Sequence, residues 1–151
     1  MRTTALGRTG LPVSRIAFGT WQLDGDWGVF AEDEAKAAIR RARGLGVNIF
    51  DTAQAYGFGA SERLLDSTLR DELRGDRDEL VIGTKGGLRR TDTGVTRDAD
   101  PHALREGVDP SLTALYVDHI DLYQVHCDPK EIDSIMAAVT PVVGSSPESM
   151  C

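Results

Sequence analysis

A short apolar run followed by an amphipathic stretch recurs along this chain, with the runs starting near residues 16, 47, 80 and 119. The spacings of 31, 33 and 39 residues leave room each time for a strand, a helix and the turns between them. Such alternation commits a chain to a parallel sheet, because a strand that re-enters the sheet in the same direction needs a crossover. The runs are Ile16–Phe18, Val47–Phe50, Leu80–Thr84 and His119–Val125. Leu80–Thr84 reads as apolar on both faces, as buried parallel strands do.

The intervening stretches carry helix signals. Ala35, Ala38, Ile39, Ala42 and Leu45 recur at helical spacing, which predicts a helix over Ala31–Leu45. Asp33 and Glu34 open it, and Arg40, Arg41 and Arg43 close it, matching the helix dipole; Gly44 and Gly46 end it. Further helices are predicted over Ser61–Leu73 and Pro101–Leu115. Pro110 lies inside the latter, where proline costs ~3 kcal/mol, so a kink or two pieces is expected. Ahead of the first unit, Arg2–Ala5 and Leu11–Arg15 flank a glycine-bearing turn and predict a short β-hairpin. The fold class is therefore α/β, with four successive βα units and no linker between them.

A net charge of −7 makes nucleic acid and anionic membrane surfaces poor partners. No apolar run approaches the roughly 20 residues that span a bilayer. Cys127 and Cys151 form no disulfide framework, and the first residues do not resemble a signal peptide. A cytoplasmic setting is the expectation.

Four polar residues stand at or just after the carboxyl ends of the predicted strands, the edge where parallel α/β folds build their sites. They are Asp51, Tyr56, Lys85 and His126. Parity along the last strand puts Ile120, Leu122, Gln124 and His126 on one face. Taken singly each has a bland reading: a turn or cap aspartate, a packing tyrosine, a surface lysine, a satisfied histidine. Their ordered strings are less bland, namely Asp51-Thr52-Ala53-x-x-Tyr56-Gly57, Thr84-Lys85-Gly86-Gly87 and Asp121-Leu122-Tyr123-x-x-His126. Gly57-Phe58-Gly59 and Gly86-Gly87 fit no phosphate-binding fingerprint and read as turns. Cys127 beside His126 lacks metal-ligand spacing, so no metal is expected.

With Leu6-Gly7-Arg8-Thr9-Gly10-Leu11, Gly19-Thr20-Trp21 and Ser61-Glu62, these strings resemble the aldo-keto reductase family from about Leu6 to Pro129. The resemblance implies a partial (β/α)8 TIM barrel, with about four βα units preceded by the hairpin. It implies NADPH-dependent reduction of an aldehyde or ketone, a small-molecule carbonyl substrate. By the same carry-over Tyr56 is the general acid, Lys85 and Asp51 tune it, and His126 positions the carbonyl. Hydride attack makes an alkoxide that needs a proton and a preorganised polar site, and an ammonium beside a phenol favours the phenolate. Gly19, Thr20 and Asp51 are the expected cofactor contacts. Trp21 and His126 are the expected substrate contacts, with Trp27 and Phe30 weaker candidates.

A complete barrel of this type takes ~250 residues, and in the family most cofactor-holding groups lie on the second half, without counterparts here. The expected organisation is an amino-terminal half-barrel over residues 1–129 and a divergent helix and loop-like tail over 130–151, as in a truncated product. Two functional readings stay open: a carbonyl reductase of doubtful activity alone, or a non-catalytic relative acting as a nucleotide-binding or interaction module. Open edges at Ile16–Phe18 and His119–Val125, beside an uncovered face with Val81, Ile120 and Leu122, predict self-association.

Overall fold

The computed structural model describes residues 1–23 and 31–126. Four parallel strands form the central sheet in the order β3 (Phe18–Gly19), β4 (Ile49–Asp51), β5 (Val81–Gly86) and β8 (Leu122–Val125). Helices α1 (Glu32–Gly44), α2 (Ala60–Thr68), α3 (Arg70–Gly75) and α4 (Pro101–Leu115) connect them. Strands β1 (Thr3–Ala5) and β2 (Pro12–Ser14) pair antiparallel as the predicted hairpin. Among the described residues no helix is long and apolar enough to cross a membrane.

The period-2 alternation of each strand sorts its side chains to two covers. On the helix side, Phe50, Leu80 and Ile82 join Ile39, Leu65, Leu69 and Leu115 in the main core. On the opposite face, Ile49 and Val81 pack with Val13, and Leu6 and Leu11 close over them. The hairpin is thus the floor of the sheet's inner face, and it corrects the expectation that Val81 lies uncovered: Val81 is 3% exposed. Asn48 holds that floor in place. Its Oδ1 accepts from Ser14 N at 2.6 Å, its Nδ2 donates to the Pro12 carbonyl at 2.8 Å, and its own N–H donates to Ser14 Oγ.

Four other expectations are corrected. Helix α4 runs unbroken through Pro110; both Pro110 and Glu106, whose carbonyl loses its partner, are exposed, so water can replace the missing bond. The predicted Ser61–Leu73 helix is two helices with a break at Leu69 (φ −109°, ψ 27°). There the hydroxyls of Ser67 and Thr68 both donate to the Leu64 carbonyl, a local competition with the helical ladder. The last strand begins at Leu122, because Asp121 Oδ2 takes the Ile82 N–H (2.8 Å) and Arg77 Nη2 (2.6 Å). Upstream of that pin Ile120 packs on the main core, not on the inner face with Leu122 and Gln124. Finally, β6 (Leu88–Thr91) and β7 (Gly94–Arg97) form an antiparallel hairpin after β5 that the periodicity argument did not find.

Under the carboxyl end of β5 lies a buried polar cluster. Thr84 Oγ1 donates to Glu62 Oε1 at 2.7 Å, while Glu62 Oε2 has no partner among the described residues. Burial pushes the Glu62 carboxyl above its ordinary value, outweighing the hydrogen bond from Thr84 that acts the other way. The neighbouring Tyr123 hydroxyl donates to the Leu104 carbonyl and is pushed up by burial and then by Glu62. A Cβ at Gly86 would stand 2.0 Å from that hydroxyl, so glycine there is a packing requirement.

Because the folded Glu62 holds its proton more tightly than the unfolded chain does, its contribution to stability is complete below the ordinary carboxylate value and is lost as pH rises through the folded one. Melting curves between pH 4 and pH 8 should therefore show Glu62→Gln gaining on the parent chain as pH rises; a gap independent of pH would contradict the upward shift of the buried carboxyl. Asn48→Ala should cost ~2 kcal/mol in urea unfolding, since it strands the buried Ser14 N–H, whereas an unchanged midpoint would show that the floor needs no pin.

Candidate active site

At the carboxyl edge of the sheet the parallel register delivers Asp51 from β4 and Lys85 from β5 to the same inner face, with Gly83 between them. A Cβ at Gly83 would stand 3.4 Å from Asp51 Oδ1 and 3.5 Å from Gln124 Nε2, in ordinary contact with both. Lys85 Nζ reaches Asp51 Oδ2 at 2.6 Å, the Thr52 carbonyl at 2.9 Å and the Tyr56 hydroxyl at 3.5 Å. Its side chain is only 15% exposed. An ammonium has three donors and no acceptor, and these three oxygens occupy all of them. The Tyr56 oxygen accepts, so its own proton is turned away from the lysine.

Tyr56 is placed by its loop. Its N–H donates to the Ala53 carbonyl, the Ser61 N–H donates to the Tyr56 carbonyl, and Gln54 N donates to the Lys85 carbonyl, tying the loop to the end of β5. Ser61, fully buried at the start of α2, donates to Thr20 Oγ1 at 2.7 Å and accepts from Thr52 Oγ1 at 3.2 Å. This hydroxyl triad clamps the ends of β3 and β4 to the helix that follows Tyr56.

His126 continues the β5–β8 pairing by donating its N–H to the Gly86 carbonyl at 2.7 Å. Its ring meets that of Tyr56 edge-on, centroids 5.5 Å apart. Burial, and then the positive charge of Lys85, hold the imidazole below its ordinary value, against a smaller opposite pull from Asp51. It is therefore neutral at pH 7 and has one N–H to donate. Its Nδ1 is buried without a partner among the described residues.

The four polar residues read from the sequence thus meet beside a cavity of about 500 Å³ lined by Trp21, Ala55, Tyr56, Phe58, Leu88, Val95 and His126, a volume suited to a small molecule. Trp21, in a single 3-10 turn (Trp21–Leu23), is on this lining. The expectation for Thr20 is corrected. Thr20 is fully buried, its N–H and hydroxyl both donate to the Asp51 carbonyl, and its own carbonyl accepts from Leu23; it braces the sheet and offers no group to a ligand. Gly19 is exposed and a Cβ there would meet nothing, which leaves an open side for a flat ring. Asp51 spends Oδ2 on Lys85 and Oδ1 on Gln124 Nε2 (2.9 Å).

Sequence reasoning missed Gln124 as the second partner of Asp51, and missed Phe58, Leu88 and Val95. The alternation of Leu88 with arginines and the turn-like Asp92-Thr93-Gly94 were the available signals for the hairpin. Trp27, Phe30, Cys127, the residue 129/130 boundary and the tail lie outside the described residues.

The sequence model of the Aldo/keto reductase family matches residues 15–144. Aldo-keto reductase YhdN of Bacillus subtilis is 39% identical over 127 residues, covering 83% of this chain and 38% of that protein. L-galactose dehydrogenase of Arabidopsis thaliana is 37% identical over 139 residues, 92% of this chain and 41% of its own length. A rice protein named a probable voltage-gated potassium channel subunit beta is 36% identical over 129 residues, 83% of this chain and 37% of its own. The chain thus spans about two fifths of the length of these curated relatives. Among solved structures, the holo aldo-keto reductase of Bacillus halodurans superposes with a TM-score of 0.74 at 29% identity, over 94% of this chain and 47% of that one. The strand order, the floor hairpin and these likenesses together make the fold part of a (β/α)8 barrel, and the chain belongs to the aldo/keto reductase family.

Proposed function

We infer that this chain carries the proton-donating side of a carbonyl reductase, acting on an aldehyde or ketone in the cavity beside Tyr56 and His126. The observation that carries the reading is the saturated Lys85 ammonium. With its three donors committed to Asp51, Thr52 and Tyr56, the lysine leaves the phenol its own proton, which can turn to a substrate in the cavity. A nicotinamide cofactor, NADPH in the family's usual form, supplies the hydride when bound. The open side of Gly19 and the neighbouring Trp21 would hold its ring, and most of its remaining contacts have no counterpart in the described residues.

The roles of the side chains follow from charge. As the carbonyl carbon takes the hydride, its oxygen gains negative charge and receives the Tyr56 proton, which completes the alcohol. Negative charge left on the Tyr56 oxygen is stabilised by the Lys85 ammonium in a site largely withdrawn from water. Asp51 keeps that ammonium compensated, since a half-buried cation without a partner is costly. The neutral His126 ring aligns the carbonyl oxygen from the other side. The alternative is a non-catalytic interaction module. The relative named as a channel subunit favours it to the extent that its name describes no reaction.

With the remaining barrel units of a relative supplied as a fusion, NADPH oxidation by a reactive aromatic aldehyde should appear. Tyr56→Phe should lower kcat by about 10²–10⁴-fold, and Lys85→Met by a comparable factor. Full activity in Tyr56→Phe would refute the proton donor, and no activity in the parent fusion would favour the module. Because His126 titrates below its ordinary value, kcat/KM should be flat through pH 7. It should fall only as pH drops below about 6.5, the free imidazole value. A break above pH 7 would mean a raised histidine and an imidazolium in the working site.

A further inference from the structure

Beyond Tyr56 and His126, the cavity wall is Trp21, Ala55, Phe58, Leu88 and Val95, drawn from three separate segments and bearing no ionised group. Phe58 is unusual among them. Its φ of 46° places a bulky aromatic in the left-handed region, which such residues rarely adopt, so the surroundings must hold it there. Across the gap, the Arg90 guanidinium lies 4.3 Å from the centre of the Phe58 ring.

The hairpin register explains how one short element does both jobs. Arg90 stands opposite Val95 in the β6–β7 pair, and directly opposite residues share a face, as do Leu88 and Arg90 two positions apart. The face that gives Leu88 and Val95 to the cavity therefore also gives Arg90 to Phe58. Arg89, on the other face, pairs with Asp98, and the Asp98 N–H donates to the Gly87 carbonyl at the hairpin's base. That base follows directly on β5, the strand that carries Lys85.

We propose that Arg90 is a positioning residue that clamps Phe58 into the cavity wall, and that the wall so formed selects a flat apolar group bonded to the reacting carbonyl. The proposal rests on reading the cavity as a carbonyl site. Aryl ketones and aldehydes lay a planar face on Phe58 and Trp21 and lose little hydration. Polyhydroxylated or anionic substrates would set polar groups against the apolar side chains of Phe58, Leu88 and Val95. The guanidinium acts through the ring: it fixes where the ring stands and does not touch the substrate.

The test compares two methyl ketones, acetophenone and butanone, titrated into the chain while the methyl signals of Leu88 and Val95 are followed by NMR. Acetophenone should move both signals and bind about tenfold more tightly than butanone. Arg90→Ala should shrink that ratio by about threefold, the scale of a partly exposed cation–aromatic contact, with the melting temperature unchanged. Arg90→Lys should recover part of the ratio, and Phe58→Leu should lose most of it. Equal affinities for the two ketones, shifts confined to other methyls, or one ratio in all the variants would overturn the proposal. Tyr56→Phe separates the two readings, because it should keep the aryl preference while the fused form loses reduction. A preference without any reduction in the parent fusion would refute the reductase alone, and reduction without a preference would refute the wall alone.

Discussion

A lysine ammonium drawn away from water needs an oxygen for each of its protons, and the upper edge of this sheet is arranged around that need. Asp51, the Thr52 carbonyl and the Tyr56 hydroxyl come from one strand and the loop after it, while Lys85 comes from the next. The parallel register sets them side by side across Gly83. Gln124, arriving from β8, takes the remaining oxygen of Asp51. Strands β4, β5 and β8 and the loop after β4 are thereby committed to one charge.

The rest of the fold can be read as support for that edge. The β1–β2 hairpin plugs the inner face below it with Val13, Leu6 and Leu11. On the outside, the helices bury Phe50 and Ile82, the neighbours of Asp51 and Gly83 in their strands. The Thr20–Ser61–Thr52 hydroxyls and the Glu62–Thr84 pair then lock the ends of β3, β4 and β5 to α2. Each is a buried polar contact placed one residue from a group of the site, where a small shift would change the site's geometry.

Much of this was legible in the residues, for definite reasons. Four strand–helix alternations commit the chain to parallel pairing, and the ordered strings around Asp51, Tyr56, Lys85 and His126 are local in sequence even though the site they form is not. What was illegible depended on contacts between distant segments. Asp121 shortens its strand because its side chain captures the Ile82 N–H and Arg77, which no periodicity reports. Thr20 was an expected cofactor contact from the resemblance carried by Gly19-Thr20-Trp21, yet the Asp51 backbone and Ser61 consume its polar groups. In the β6–β7 hairpin the apolar pair Leu88 and Val95 was masked by the arginines around it, including Arg90 and Arg97 on the same face. Pro110 misled in the other direction, because propensity prices the lost hydrogen bond but not its exposure to water.

The central claim is about where one proton points. A neutron structure of the deuterated chain at neutral pH would locate the deuterons on Lys85 Nζ and Tyr56. The account predicts three on Lys85, directed at Asp51, the Thr52 carbonyl and the Tyr56 oxygen, with the Tyr56 deuteron turned into the cavity. A neutral amine at Lys85 accepting the Tyr56 deuteron would contradict it.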